Sequence, residues 1–153
     1  MRVYLPEVPY FPQTRDGTCL EACVCIVLAY LGSPVTEDKV CTLFDADPEG
    51  TPASRVRRLY RWHFHVTYDT ASLLDLRQWL QQGLLPIIFV ETGFLDYWKN
   101  NVRHAVVVVG LDDSTIWLHD PAFDEAPQRC LLDGFLAAWA EMDEATALIT
   151  IQT

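Results

Sequence analysis

The stretch Cys19–Leu31, CLEACVCIVLAYL, restricts most strongly what this chain can fold into. At helical spacing its apolar residues Val24, Ile26, Val27, Leu28 and Leu31 leave almost no polar face, so the helix must be buried. Gly32 and Pro34 stop it, and Thr18 or Asp16 stands where a cap for its first turn is needed. The second strong pattern is HAVVVVG, His104–Gly110, a continuous Val-rich run of the kind found in a strand covered on both faces. Asp112-Asp113-Ser114 then reads as a hairpin turn, and Thr115–His119 as the antiparallel return strand.

These two patterns carry polar residues at chemically useful places. Cys19 opens the buried helix, where unpaired N–H groups and the positive end of the helix dipole favour a thiolate. Gln13 lies six residues before it, across the loop TRDGT, whose Asp16-Gly17 pair predicts a turn that folds the amide back toward the Cys19 N–H. Two donors would then face one oxyanion. His104 is the first residue of the Val-rich strand, and the hairpin register is expected to bring Asp120, in LHDPA, alongside it. A carboxylate there holds the imidazole tautomer and stabilises the imidazolium, while Pro121 ends the strand. Nucleophile, oxyanion donor, base and orienting carboxylate are the minimum set for a thiol hydrolase. Cys23, Cys25, Cys41 and Cys130 read as small buried hydrophobes.

VPYFPQTRDGTCLEACVCIVLAYLG, HAVVVVGLDD and LHDPA together resemble the C39-like branch of the papain-like cysteine peptidases, a group that includes leader-peptide-processing domains of bacteriocin exporters. The resemblance spans most of the chain in family order. It implies Cys19 as nucleophile, Gln13 as oxyanion residue, His104 as base and Asp120 as its orienting partner. It also implies an α+β, papain-like fold, with a helical lobe bearing Cys19 packed on an antiparallel sheet bearing His104 and Asp120. One departure stands out: relatives usually carry Gly and then a small residue after the nucleophile, whereas this chain has Leu20 and Glu21. Glu21 puts a negative charge in the first turn, favourable to the dipole but opposed to a thiolate on Cys19.

Other clusters are weaker. Cys19 and Cys23 share a helix face and His63 and His65 a strand face, yet no complete zinc ligand set at zinc spacing is present, so no metal is expected. FDADPEG, from Phe44 to Gly50, lacks the later ligands of a calcium loop and reads as an acidic surface loop. Arg55, Arg57, Arg58 and Arg61 form a basic amphipathic patch, a solvated face or a contact for an acidic partner.

The remaining pattern completes the α+β plan. Helices are expected around Thr36–Phe44, over Ala53–Trp62, from Leu73 to Gln82 with Ser72 and Asp75 as a capping pair, and from Asp133 to Met142. Strands are expected near His65–Tyr68, Leu85–Glu91 and Ala145–Gln152. Trp62, Tyr97 and Trp98 are the aromatics expected near the crevice. With 153 residues, 50% of them hydrophobic, the chain can bury one sizeable core, and residues 1–153 are expected to form a single domain. A net charge of -10 argues against nucleic acid or an anionic membrane as partner. No signal sequence or membrane span is legible, and five cysteines, an odd number, fit a reducing cytoplasm. The expectation is a cytoplasmic cysteine peptidase acting on a peptide or protein substrate, with no cofactor. The same residues would serve an acyltransferase or amidase, and a silent binding module would keep the cleft without the chemistry.

Overall fold

A computed structural model describes residues 2–153. The Cys19 segment forms helix α1, Cys19–Tyr30, with every residue from Leu20 to Leu28 buried. Neither expected cap is made: Thr18 precedes the helix without a capping bond, and its hydroxyl donates instead to Arg15 O at 2.8 Å. A cap contributes about 1 kcal/mol. Each fully buried aliphatic side chain contributes about 1.5–3 kcal/mol, so Val24, Ile26, Val27 and Leu28 together outweigh its loss. Packing, not capping, holds this helix.

Helix α2, Glu37–Phe44, follows, capped by Thr36. The run Ala53–Trp62 is a 3₁₀ helix rather than the expected α-helix. Three of its four arginines are engaged by the fold. Arg55 Nη1 donates to Phe44 O and to Asp45 O, and Arg58 Nη1 donates to Leu43 O, so both satisfy orphan carbonyls at the end of α2. Arg57 donates to Tyr68 O and lies over the Tyr68 ring. Helix α3, Leu73–Gln81, has the predicted reciprocal box between Ser72 and Asp75. Helix α4 spans Leu132–Ala140, ending before the expected Met142.

Among the described residues seven strands form one sheet: β1 Val3–Tyr4, β2 Phe64–Thr70, β3 Pro86–Glu91, β4 Arg103–Leu111, β5 Thr115–His119, β6 Gln128–Leu131 and β7 Ala145–Ile151. The order is β2-β7-β3-β4-β5-β6, all neighbours antiparallel, with β1 beside the far half of β4. β1 and β6 carry no alternation long enough to read from sequence. His63 does not share a strand face with His65, because it ends the 3₁₀ helix in the left-handed region at φ 67°. Gly110 is a requirement of the sheet: a Cβ there would meet Tyr4 Cδ1 at 2.5 Å.

Alternation along β4 divides the core. Ala105, Val107 and Val109 face the cluster containing α1, whereas Val106 and Val108 face the cluster of Leu76, Phe135 and Trp139 from α3 and α4. By the same parity His104 leaves β4 on the Val106 side, and Asp120, just past β5, leaves on the side of Ile116 and Leu118. The two therefore share a face. The backbone register does not pair them directly: Val107 opposes His119, and a bulge between Val108 and Gly110 shifts the ladder. Side chains on one face close the distance.

Candidate active site

Local interactions fix the loop that leads to Cys19. Gln13 N donates to Pro121 O at 2.8 Å, tying the loop to the turn after β5. Thr14 donates from both its N and its hydroxyl to the Glu37 carboxylate at the start of α2, and Arg15 pairs with Asp38 at 3.6 Å. Gly17, at φ +86°, makes the turn that the Asp16-Gly17 pair predicts. A Cβ on Gly17 would lie 2.8 Å from Pro48 O, so segment 48–51 presses directly on the nucleophile loop. Cys19 then begins α1 and is half-buried.

His104 and Asp120 form a buried pair, 7% and 0% exposed, with His104 Nε2 2.6 Å from Asp120 Oδ1. The other ring nitrogen, Nδ1, is not engaged by Asp120, and Cys19 lines the same cleft as the imidazole. Burial alone would lower the His104 pKa, but the interactions with Asp120 and Cys19 outweigh it and push the value up to about 9. Burial would raise Asp120, but His104, Trp98 and Tyr97 more than compensate and hold its carboxyl below the usual carboxylate range. His104 is therefore held as imidazolium against a carboxylate at neutral pH.

Asp120 is surrounded by donors. Tyr97 Oη and Trp98 Nε1 donate to Oδ2 at 2.7 and 2.8 Å, and Ala122 N donates to Oδ1 at 3.0 Å. Each carboxylate oxygen has two partners, which is what a fully buried charge needs. Trp98 also meets the His104 ring edge-on, centroids 5.0 Å apart, and restricts its rotation. Tyr10 Oη donates to the backbone carbonyls of Asp120 and Phe123 and holds the turn itself. These donors were not foreseen from sequence beyond the expectation that Tyr97 and Trp98 would lie near the crevice. The available signal is that a buried carboxylate requires several donors, and the loop before His104 offers two aromatics with polar tips. Trp62 does not join them: it lines a separate shallow groove with Asp38, Lys39, Thr42 and Leu43 of α2.

A cleft of about 680 Å³ opens beside the sulfur, and Gln13, Cys19, Leu20, Trp98 and His104 are all in its lining. Three of the four residues selected from sequence thus face one cavity, with Asp120 behind His104. Gln13 Nε2 donates one hydrogen to Arg15 O at 3.2 Å, leaving its second for a group in the cleft, while its Oε1 is buried without a partner among the described residues.

The Peptidase C39 family matches residues 7–145. This chain belongs to that family. No curated protein matches. Among solved structures, a protein from Bacillus anthracis named as a C39-like peptidase superposes with TM-score 0.84 at 17% identity, covering 100% of this chain and 99% of its own. The peptidase domain of Streptococcus ComA, a bifunctional ABC transporter of a quorum-sensing pathway, gives TM-score 0.78 at 18% identity, covering 95% and 100%. A double-glycine-motif protease from an AMS/PCAT transporter, solved with its leader peptide, gives TM-score 0.72 at 15% identity, covering 99% of each chain. At these identities the likeness establishes the papain-like C39 fold.

Within this C39 chain the two unusual residues after Cys19 part company. Leu20 is 2% exposed and packs into the core cluster that contains α1, at the lining of the cleft. Glu21 turns away into the interior, where it is 0% exposed and accepts a hydrogen bond from the Thr51 hydroxyl. Burial raises its pKa above the ordinary range, outweighing the Thr51 bond, which weakens the charge expected to oppose a thiolate. Among the described residues no group of three or more His, Cys, Asp or Glu could hold a metal ion, and no helix is long and apolar enough to cross a membrane.

Proposed function

We propose that this C39-family chain is a cysteine peptidase working through Cys19, His104 and Asp120, with Gln13 and the Cys19 N–H as oxyanion donors. The observation that carries the reading is the buried His104–Asp120 pair at 2.6 Å, with Cys19 and His104 lining one cleft. The Cys19 sulfur, as thiolate, attacks the scissile carbonyl carbon, and the carbonyl electron pair moves to oxygen, facing Gln13 Nε2 and the Cys19 N–H. Collapse expels the amine, which takes its proton from the His104 imidazolium and leaves a thioester. Water, deprotonated by the now neutral His104, hydrolyses that thioester and restores the thiolate–imidazolium pair. Asp120 holds the ring orientation and stabilises its positive charge throughout. None of these steps calls for a metal or cofactor.

The substrate proposed is a peptide, and the structural neighbour solved with a leader peptide makes double-glycine leader sequences the first to try. The family match over residues 7–145 and the full-length structural counterparts support reading residues 1–153 as one peptidase domain.

The direct test is intact-mass labelling with iodoacetamide across pH. Rapid modification of a single site below pH 7, lost in Cys19→Ala and slowed in His104→Ala, is the expected result. Cys19 labelling no faster than that of the unfolded chain, and indifferent to His104→Ala, would overturn the reading in favour of a silent binding module.

Peptide hydrolysis should show an alkaline limb near pH 9. His104 must be protonated to donate to the leaving amine, and it loses that proton as pH rises through about 9. Alkylation of Cys19 needs only the thiolate and should persist above that point, so the two pH profiles separate. Superimposable alkaline limbs would contradict the assignment of His104 as acid.

Gln13→Ala should lower kcat by roughly a hundred- to a thousandfold, the usual effect of deleting one oxyanion donor, while the iodoacetamide rate at Cys19 changes little. A loss of less than threefold in kcat would remove Gln13 from the mechanism.

A further inference from the structure

Glu21 is an anomaly for a first-turn acidic residue. Such residues ordinarily sit in solvent, where they complement the helix dipole. Here the carboxylate is fully buried two residues after Cys19, with Oε2 accepting from the Thr51 hydroxyl and Oε1 meeting no partner among the described residues. An interior carboxyl group is costly and persists where its one bond holds something in place.

Thr51 belongs to the irregular segment between α2 and the 3₁₀ helix, and Glu49 through Ala53 form one wall of the cleft. Val102 to Ala105, at the start of β4, line the same cleft. The 49–53 wall is otherwise held mostly by its own turn, with Glu49 N on Asp47 Oδ1 and Gly50 N on Asp47 O, and by the backbone contact of Pro48 O against Gly17. The Thr51–Glu21 bond is the side-chain tie from this wall to the helix that carries the sulfur.

We propose that the Glu21–Thr51 hydrogen bond is a specificity element of the cleft, holding wall 49–53 at the spacing from β4 that seats an extended peptide beside Cys19. Glu21 acts through Thr51 and is a positioning residue. The tie bears on long substrates, which must lie against this wall, and not on a small electrophile that needs only the sulfur. This inference rests on the peptidase reading above and names what that site selects: an extended chain rather than a small acyl group.

The experiment compares inactivation of Cys19 in the full chain by iodoacetamide and by acetyl-Ala-Ala-Gly chloromethyl ketone. Thr51→Val, which keeps the shape and deletes the hydroxyl, should lower the ratio of peptidyl to iodoacetamide rates about tenfold through weaker reversible binding, since small displacements in a site have effects of this order or larger. Thr51→Ser, which restores the hydroxyl, should return the ratio to within about twofold of wild type, and Glu21→Gln, which still offers an acceptor oxygen, should do the same. Thr51→Ala deletes the same hydroxyl without apolar bulk and gives the same loss, which covers a Val variant that fails to fold. An unchanged ratio in Thr51→Val and Thr51→Ala, or an equal fall with both reagents, overturns the proposal.

The peptidase reading fails differently. There, wild-type Cys19 would react no faster than in the unfolded chain with either reagent. The specificity element would fall with it, and amide hydrogen exchange at residues 49–53 in Thr51→Val would report only a structural tie.

Discussion

Cys19→Ala is expected to reduce peptide hydrolysis by roughly a millionfold, to the level of the uncatalysed reaction plus whatever binding contributes, because no thioester can form without the sulfur. His104→Ala should cost nearly as much, and the double variant little more than either alone, since nucleophile and base act as a unit. Neither change should unfold the chain. Cys19 is half-buried at a helix end, and truncating it opens onto the cleft rather than leaving an enclosed cavity. Product formation from a double-glycine leader peptide, followed by mass spectrometry, is the measurement. Cleavage by Cys19→Ala at more than a thousandth of the wild-type rate would rule out Cys19 as the nucleophile.

Asp120→Asn should damage both activity and stability. Each oxygen of Asp120 receives two donors: His104 Nε2 and Ala122 N on Oδ1, Tyr97 Oη and Trp98 Nε1 on Oδ2. An asparagine must present its NH₂ to one of these pairs, so donors face donors whichever way the amide is turned. The His104 tautomer is lost as well, and hydrolysis should fall by roughly a thousand- to ten-thousandfold. Breaking the buried pair, with loss of the proton that the Asp120 carboxylate held on His104, should destabilise the fold by about 3–5 kcal/mol near neutral pH.

Urea denaturation across pH reads the stability part and carries its own sign. Asp120 is held below the ordinary carboxylate range, so its contribution is present above about pH 4 and is lost as pH falls through the depressed value. His104 is raised to about 9, so its contribution is complete below about pH 6.5 and is lost as pH rises through about 9. The wild-type advantage over Asp120→Asn should therefore be greatest between these limits. An Asn variant equal to wild type in urea midpoint at pH 6 would show that the pair contributes no net stability.

The elements that position the cleft were legible because their signals are local. Apolar residues all round Cys19–Tyr30 force a buried helix, β-branched residues in series force the β4 strand, and Asp112 to Ser114 reverse the chain into β5. Ser72 and Asp75 specify their helix start in four residues. Gln13, Cys19, His104 and Asp120 could be selected on the same basis, because each stands at the end of a strongly patterned element or in the turn beside one.

What the tertiary structure alone decided involves partners distant in sequence. Thr18 was free to point elsewhere because burial of α1, not its cap, supplies the stability. Ala53–Trp62 became 3₁₀, and Arg55 and Arg58 were committed to the end of α2, through carbonyls that no pattern in ASRVRRLYRW reveals. β1 and β6 are too short to announce themselves and exist because β4 and β5 offer unpaired edges. Periodicity records which face of an element is apolar, but it carries no record of which distant hydroxyl, indole or carboxyl will meet it. For that reason Tyr97 and Trp98 as donors to Asp120, Trp62 outside the cleft, and Glu21 bound to Thr51 beneath its wall became visible only once the chain had closed on itself.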